Sequence, residues 1–494
     1  MKPGALAVLC CALLAGGCAT LEPPFGAHLA YETPQARECA EWYRMIDERV
    51  AAAGVRDAQD ARVPGFPYLR VSRLLAALRP AAMSSEPALH ALADRMLALD
   101  LEARRYEFMN LPAGPDRTAG DRAAQRRAQQ CGALLRDIDL ARPGSRDALL
   151  GRADIPDDYS LLHRILGLYW FTRLPFAEGV RRYQEETMAA FRRELAAPEG
   201  AGVVRHAPEP GEPLPRRHVA TMLKRAAENP LGIPEPSERD LAALLAAYAP
   251  SFEVEVRGDY DRFGALRWLR GSDMPVVDGA QLAVYAHPAW TRYDGKVLLQ
   301  LVYTLWFPER PPQSAGDILA GKLDGITWRV TLAPDGEPLV YDSIHPCGCY
   351  HLFFPTPRAA PLPAPDGLQE WMFSPQSLPR LAEGDRPVVR IATGTHYIER
   401  VTVTRGTDSL ARYELRPYGE LRSLDRLTGA RASAFGADGL IAGSERPERF
   451  AFWPMGIESA GAMRQWGRQP TAFVGRRHFD DADLFEKRFR FALD

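Results

Sequence analysis

The apolar side chains change their period once along this chain, near Ser251, and that single change limits the fold more than any motif does. Before it they recur every three or four residues, the spacing that puts them on one face of a helix. After it they alternate, the spacing of a half-buried strand. No stretch alternates strands with long helices, which argues against a parallel Rossmann-like sheet. The expectation is an α+β chain. A helical N-terminal domain is followed by a mainly antiparallel β domain, sandwich or barrel-like.

Thr33-Pro34 is a good helix start, a hydroxyl N-cap followed by proline at the first helical position. From there Cys39, Trp42, Tyr43, Ile46 and Val50 share a face, and Gly54 ends the run. A second helix carries Cys131, Leu134, Leu135 and Ile138. Further helices are expected over Leu69 to Leu78, Ala88 to Met109 and Phe176 to Glu194. Tyr169 to Pro175 reads as an aromatic-rich joint leading into the last of these. Ala196 to Arg217 is rich in Pro, Gly and Glu, without period, and reads as a linker or long surface loop. A short helical region and a proline-broken stretch, Glu228 to Glu238, follow.

In the second half, strands are expected at 252–256, 282–285, 297–307, 327–332, 339–341, 388–392, 396–403 and 413–415. The run 297–307 is too short for a membrane span and is broken by Gln300 and Thr304, so it reads as a buried strand. Asp294-Gly295 and Asp335-Gly336 have the composition of hairpin turns. Residues 359–366 read as a Pro/Ala-rich loop.

The 494 residues carry 61 basic and 63 acidic side chains, a balance that argues against a general nucleic-acid binder or anionic-membrane binder. The N-terminus is more specific. Lys2 precedes an apolar run from Ala5 to Ala15 that is too short for a permanent span, and Leu13-Leu14-Ala15-Gly16-Gly17-Cys18 closes it. This stretch resembles the signal peptide of bacterial lipoproteins. The resemblance covers about the first eighteen residues. It implies removal of residues 1–17, a lipid on Cys18 and anchoring in a membrane. Ala19, where aspartate is the usual inner-membrane retention signal, implies the periplasmic face of the outer membrane.

Of seven cysteines, Cys10 and Cys11 would leave with the signal and Cys18 would carry lipid. Cys39 and Cys131 lie on core-facing stripes. In an oxidising compartment they suit a disulfide tying two helices, the alternative being two buried thiols. Cys347 and Cys349 fall in His345-Pro-Cys-Gly-Cys-Tyr-His351, which places His or Cys at every second position. On a straight strand the ends of that cluster lie too far apart to share one ion. Pro346 and Gly348 favour a turn or bulge that gathers them. Such ligands suit zinc or copper, with His396 or His287 as candidates to complete the set. Two other readings stand beside the metal site: a redox or structural Cys-Gly-Cys pair, and buried cysteines with locally satisfied histidines.

No zinc-protease helix, nucleophile elbow, haem attachment site, phosphate loop or dinucleotide fingerprint occurs, so no catalytic residue is assigned. Gly258-Asp-Tyr-Asp261 reads as a solvated turn. The segment 450–483 mixes aromatics with Arg464, Arg468, Arg476 and Arg477. It suits either an anionic or sugar ligand, or a terminal segment docked on the sheet with its arginines paired to acids such as Asp480 and Asp481. The expected division is signal peptide 1–17, helical domain 18–195, Pro/Gly-rich linker with short helices 196–250, and β-rich domain 251–494. The expected function is an outer-membrane-anchored binding or envelope-assembly module with a Cys/His metal or structural site. The alternative is an envelope enzyme using the same cluster, as a metal-dependent hydrolase or a thiol-disulfide oxidoreductase.

Overall fold

The computed structural model describes residues 31–493 apart from 113–116, 196–199, 210, 212–213, 406–410 and 428. The expected signal peptide and Cys18 lie outside the described residues. The fold is α+β, with helices gathered in the N-terminal part and strands dominating the second half.

The N-terminal unit is built on α1 (Pro34–Ala52), α4 (Glu86–Asn110) and α5 (Arg117–Leu140), with the short α2 (Arg73–Ala77) and α3 (Arg79–Ser84) between them. Thr33 caps α1 by accepting the Ala36 N–H, and Cys39, Trp42, Tyr43, Ile46 and Val50 are all buried, as the spacing predicts. A disulfide joins Cys39 on α1 to Cys131 on α5. The expected helix over 69–78 begins as strand, 69–71, and is helical only over 73–77. A hairpin of β1 (Ala61–Val63) and β2 (Phe66–Val71) precedes α2. Buried Arg70 fixes it by bridging Asp100 (3.3 Å) and Glu107 (2.6 Å) of α4. Tertiary pairing of one arginine outweighs local helix propensity there.

Helices α6 (Pro143–Arg152), α7 (Leu161–Leu166) and α8 (Tyr169–Arg192) follow. Tyr169 to Pro175 is not a joint but the first turns of α8, which runs through Pro175. Packing holds it: Phe176 contacts Phe452 and Phe473 (5.2 and 6.0 Å between ring centres).

The stretch read as a linker supplies β3 (Gly202–Pro208) to the main sheet, then α9 (Arg216–Ala226) and α10 (Glu238–Tyr248). Val203 and Val204 are the strand formers in an otherwise unpatterned run, and pairing with β4 (Ser251–Val256) orders them. A small ribbon, β5 (Ala265–Arg267) with β6 (Val276–Asp278), leads to β7 (Ala283–Tyr293), β8 (Lys296–Arg310), β9 (Gly321–Leu332), β10 (Pro338–Ile344) and β11 (Leu352–Pro355). Asp294 and Gly295, both at positive φ, turn β7 into β8, and Gly336 at φ 82° serves the β9–β10 turn. Residues 359–361 of the expected loop form β12 (Ala359–Pro361). Then come β13 (Asp385–Ile391), β14 (Ile398–Arg405), β15 (Ala411–Pro417), the small β16 (Leu424–Asp425) and β17 (Arg431–Ala432), α11 (Arg449–Phe452) and β18 (Phe489–Phe491), which pairs with β12.

Ten strands make one mixed sheet in the order β11-β10-β9-β8-β7-β15-β3-β4-β13-β14, open at β11 and β14. Most neighbours are antiparallel. The exceptions are β13–β4, β15–β3 and β15–β7. Gln300 and Thr304, which interrupt the apolar run of β8, are satisfied across the ladder by Thr331 (2.9 Å) and Thr327 (3.0 Å).

Candidate functional site

The Cys/His cluster is the loop of the β10–β11 hairpin, which closes at the Ser343–Leu352 pair. Pro346 supplies no N–H and Gly348 takes φ 93°, so the chain folds on itself: Gly348 donates to the His345 carbonyl (2.8 Å) and His345 to that of Cys349 (3.0 Å). A Cβ at 348 would collide with the Pro470 carbonyl oxygen, so glycine is needed for contact as well as for φ. The Cys349 N–H points at the Cys347 sulfur (3.4 Å). Cys347 is buried and Cys349 partly exposed, and both are free thiols.

This fold of the loop separates the histidines. His345 Nδ1 meets Asp324 (2.9 Å), and so does His396 Nδ1 (2.9 Å), whose Nε2 lies 3.5 Å from Asp261. Arg446 adds a contact to Asp324 (3.2 Å), while its Nε and Nη1 have no hydrogen-bond partner. His396 stacks flat on Phe307 (3.9 Å). His351 turns the other way, its Nε2 on Asp342 (2.9 Å), which Arg329 also grips with two nitrogens (2.9 and 2.5 Å). His287 sits apart against Trp466 and Tyr418 (4.5 and 4.7 Å), with both ring nitrogens buried and unpartnered.

Burial alone would raise the Asp324 carboxyl, but His345 and Arg446 hold it well below the carboxylate range. Burial pushes the His345 ring down, whereas His396 is raised because its bonds to Asp261 and Asp324 outweigh burial. Asp324 thus joins Arg446, His345 and His396 in one buried charged group. Burial brings His351 down to about 3. Three residues of this region hold the left-handed backbone conformation that non-glycine residues avoid: Leu323, Tyr350 and His396. Such positions persist only where the surroundings fix them, and they gather at functional sites.

Beside the loop lies a cleft of about 550 Å³. One wall is α8, through Phe176, Gly179, Val180 and Tyr183. The other is the 347–351 loop with Phe373, Phe452 and Phe473. Tyr183 leans on Tyr350 and Tyr397 (5.2 and 5.9 Å). The cleft surface is mainly apolar, although Arg182, Gln184, Glu186, Glu370, Glu448 and Arg477 also line it. Burial raises Glu448 to about 7. Buried Arg477 spends its nitrogens on Thr471 and the Trp371 carbonyl. The Cys349 thiol is pushed well up by its bond to Cys347 and by burial.

The structure thus brings Cys347 and Cys349 together at the cleft and joins His345 to His396 through Asp324, while His351 and His287 face other partners. Among the described residues no three His, Cys, Asp or Glu side chains converge in a metal-holding arrangement. Asp324, Arg446 and Glu448 were not singled out in the sequence: lone charged residues carry no pattern before the fold assembles them. Asp261 does not sit in a solvated turn. It is buried, accepting from the Arg257 and Gly394 amides and the Thr393 hydroxyl. The C-terminal segment is docked, but its arginines do not choose Asp480 and Asp481: Arg468 pairs with Asp158 (3.0 Å) and Arg476 with Asp157, while Arg464 and Arg477 donate to nearby carbonyls and Thr471. No protein-family model, no curated protein and no solved structure matches the chain.

Proposed function

We propose that the protein is an envelope lipoprotein, held by a lipid on Cys18 at the periplasmic face of the outer membrane, whose cleft between α8 and the β10–β11 loop binds a mainly apolar small molecule. The cleft carries the binding part of this reading: its volume and mainly apolar, aromatic walls are those of a small-molecule site. The anchor rests on the N-terminal sequence, and Cys18→Ala is expected to make the protein extractable from membranes by salt instead of detergent.

Two features favour binding over catalysis. A cysteine that attacks or exchanges works as thiolate, and the Cys349 thiol is held protonated. The three histidines nearest the loop in sequence or space are committed to buried carboxylates. Native mass spectrometry of protein taken from its own envelope tests the reading. A ligand adduct is expected on the wild type and weakened on Gly179→Trp, since a Cβ at 179 meets no atom within 4 Å and an indole built there takes up part of the cleft. A bare wild type that also fails to bind an apolar dye would overturn it.

A second reading keeps the envelope enzyme, or a zinc or copper site, at Cys347 and Cys349. Glu448 favours it, because a carboxyl titrating near 7 beside a thiol pair is a proton carrier at neutral pH. Metal analysis decides: about one ion per chain, lost on changing both cysteines to serine, is what that reading requires.

A further inference from the structure

Half of the exposed large apolar side chains among the described residues, eight of sixteen, fall between positions 161 and 174. They belong to α7, the corner after it and the first turns of α8. Trp170 and Phe171 are each 71% exposed, and Ile165, Leu166 and Leu168 are at least 60% exposed. An apolar patch of this density marks an interaction surface.

The patch is not a frayed end. Its inner face is bolted to the C-terminal segment: Arg164 donates to the Met455 and Gly475 carbonyls (2.9 and 2.6 Å), and the Gly475 N–H donates to the Tyr169 hydroxyl (2.8 Å). Gly167 lies so close to Pro454 that a Cβ would collide with it, and Leu168 turns the corner at φ 48°. The fold therefore fixes the inner side and presents the outer one.

We infer that this corner is a docking surface for an anionic lipid bilayer, laid in the interface and not across it. Charge selects the occupant. Nineteen successive residues, 159–177, contain no acid, in a chain whose overall charges balance; with Arg164 spent on the inner side, Arg173 and His163 are the basic residues left to the outer one. A basic apolar element with Trp beside Arg is what an acidic headgroup layer takes up, aromatic rings at the boundary and guanidinium groups among phosphates. Arg173 already lies over the Trp170 ring (5.3 Å). None of the described helices is long and apolar enough to span, as an interfacial element requires. One turn beyond the patch, Pro175, Phe176 and Gly179 line the cleft, so docking sets the cleft wall beside the bilayer. The inference deepens the membrane partner of the proposed function and does not need the lipid on Cys18.

The test uses the chain from Ala19 onward, which keeps every described residue and has no lipid. Co-sedimentation with phosphatidylethanolamine–phosphatidylglycerol vesicles is expected, with weaker binding to phosphatidylcholine. The pair Trp170→Glu and Phe171→Glu should lower binding by about tenfold or more with an unchanged thermal midpoint, since both side chains point outward. No binding, equal binding of the variant, or equal binding to both lipids would overturn the inference. So would a wild-type dimer that the variant dissolves without any vesicle binding, which would assign the patch to a second copy of the chain. Failure here leaves the Cys18 anchor standing, because salt extraction of Cys18→Ala is a separate readout.

Discussion

His287 shows how burial sets the behaviour of a single residue. Its ring nitrogens find no partner, and burial, with Arg422 and Arg329 nearby, lowers it to about 3. A base whose folded pKa lies below its unfolded value stabilises fully above that value, near 6.5, and loses the contribution as pH falls toward 3. Between pH 8 and pH 5 the wild type should lose about 2 kcal/mol more than His287→Phe, measured by denaturant unfolding at both values. Equal pH dependence would mean that the folded ring is open to water. The same scale explains what the sequence concealed. His345, Cys347, Cys349 and His351 stood out because they are adjacent in the chain. The carboxylates that command the histidines, Asp324 and Asp342, are scattered among sixty-odd ordinary acids until β9 and β10 bring them in.

Among the elements, the strands were legible because alternation survives in sequence: β4, β8 and β13 begin and end within a few residues of their expected bounds. The hairpin loop was legible in part, since Pro346 and Gly348 announce a turn but not which way each ring leaves it. β3 was not legible, because a strand held by its neighbours needs no pattern of its own. Helix α8 was misjudged at Pro175, where aromatic packing on Phe452 and Phe473 carries the helix past a residue that normally stops one. Its Gly179 has helical backbone and open space around the absent Cβ. Gly179→Ala should therefore stabilise by about 0.5–1 kcal/mol in chemical denaturation, and a loss would point to ligand or backbone contact at that position.

In the whole molecule, the helical unit and the sheet are joined by buried charge. Arg422, next to the strand β15, reaches into the helical unit to hold Asp57 with two nitrogens (2.8 and 2.9 Å) and Glu102 with a third (2.6 Å). Ala482 shares the core of the helices. Removing the arginine strands buried Asp57, so Arg422→Ala should cost about 3–5 kcal/mol. Calorimetry should show one transition moved to lower temperature. Two separated transitions would mean that the halves fold independently.

The place of β15 bears on time as well as on shape. The strands from β7 to β11 are neighbours in both sequence and space, whereas β15 arrives more than a hundred residues after β7 and two hundred after β3, and lies between them. Until it does, β7 and β3 each offer a row of unpaired amides and carbonyls in the heart of the future sheet. The most central strand is thus among the last to be delivered. A chain made from its N-terminus must keep two such edges apart through that interval, which makes it a slow folder by topology.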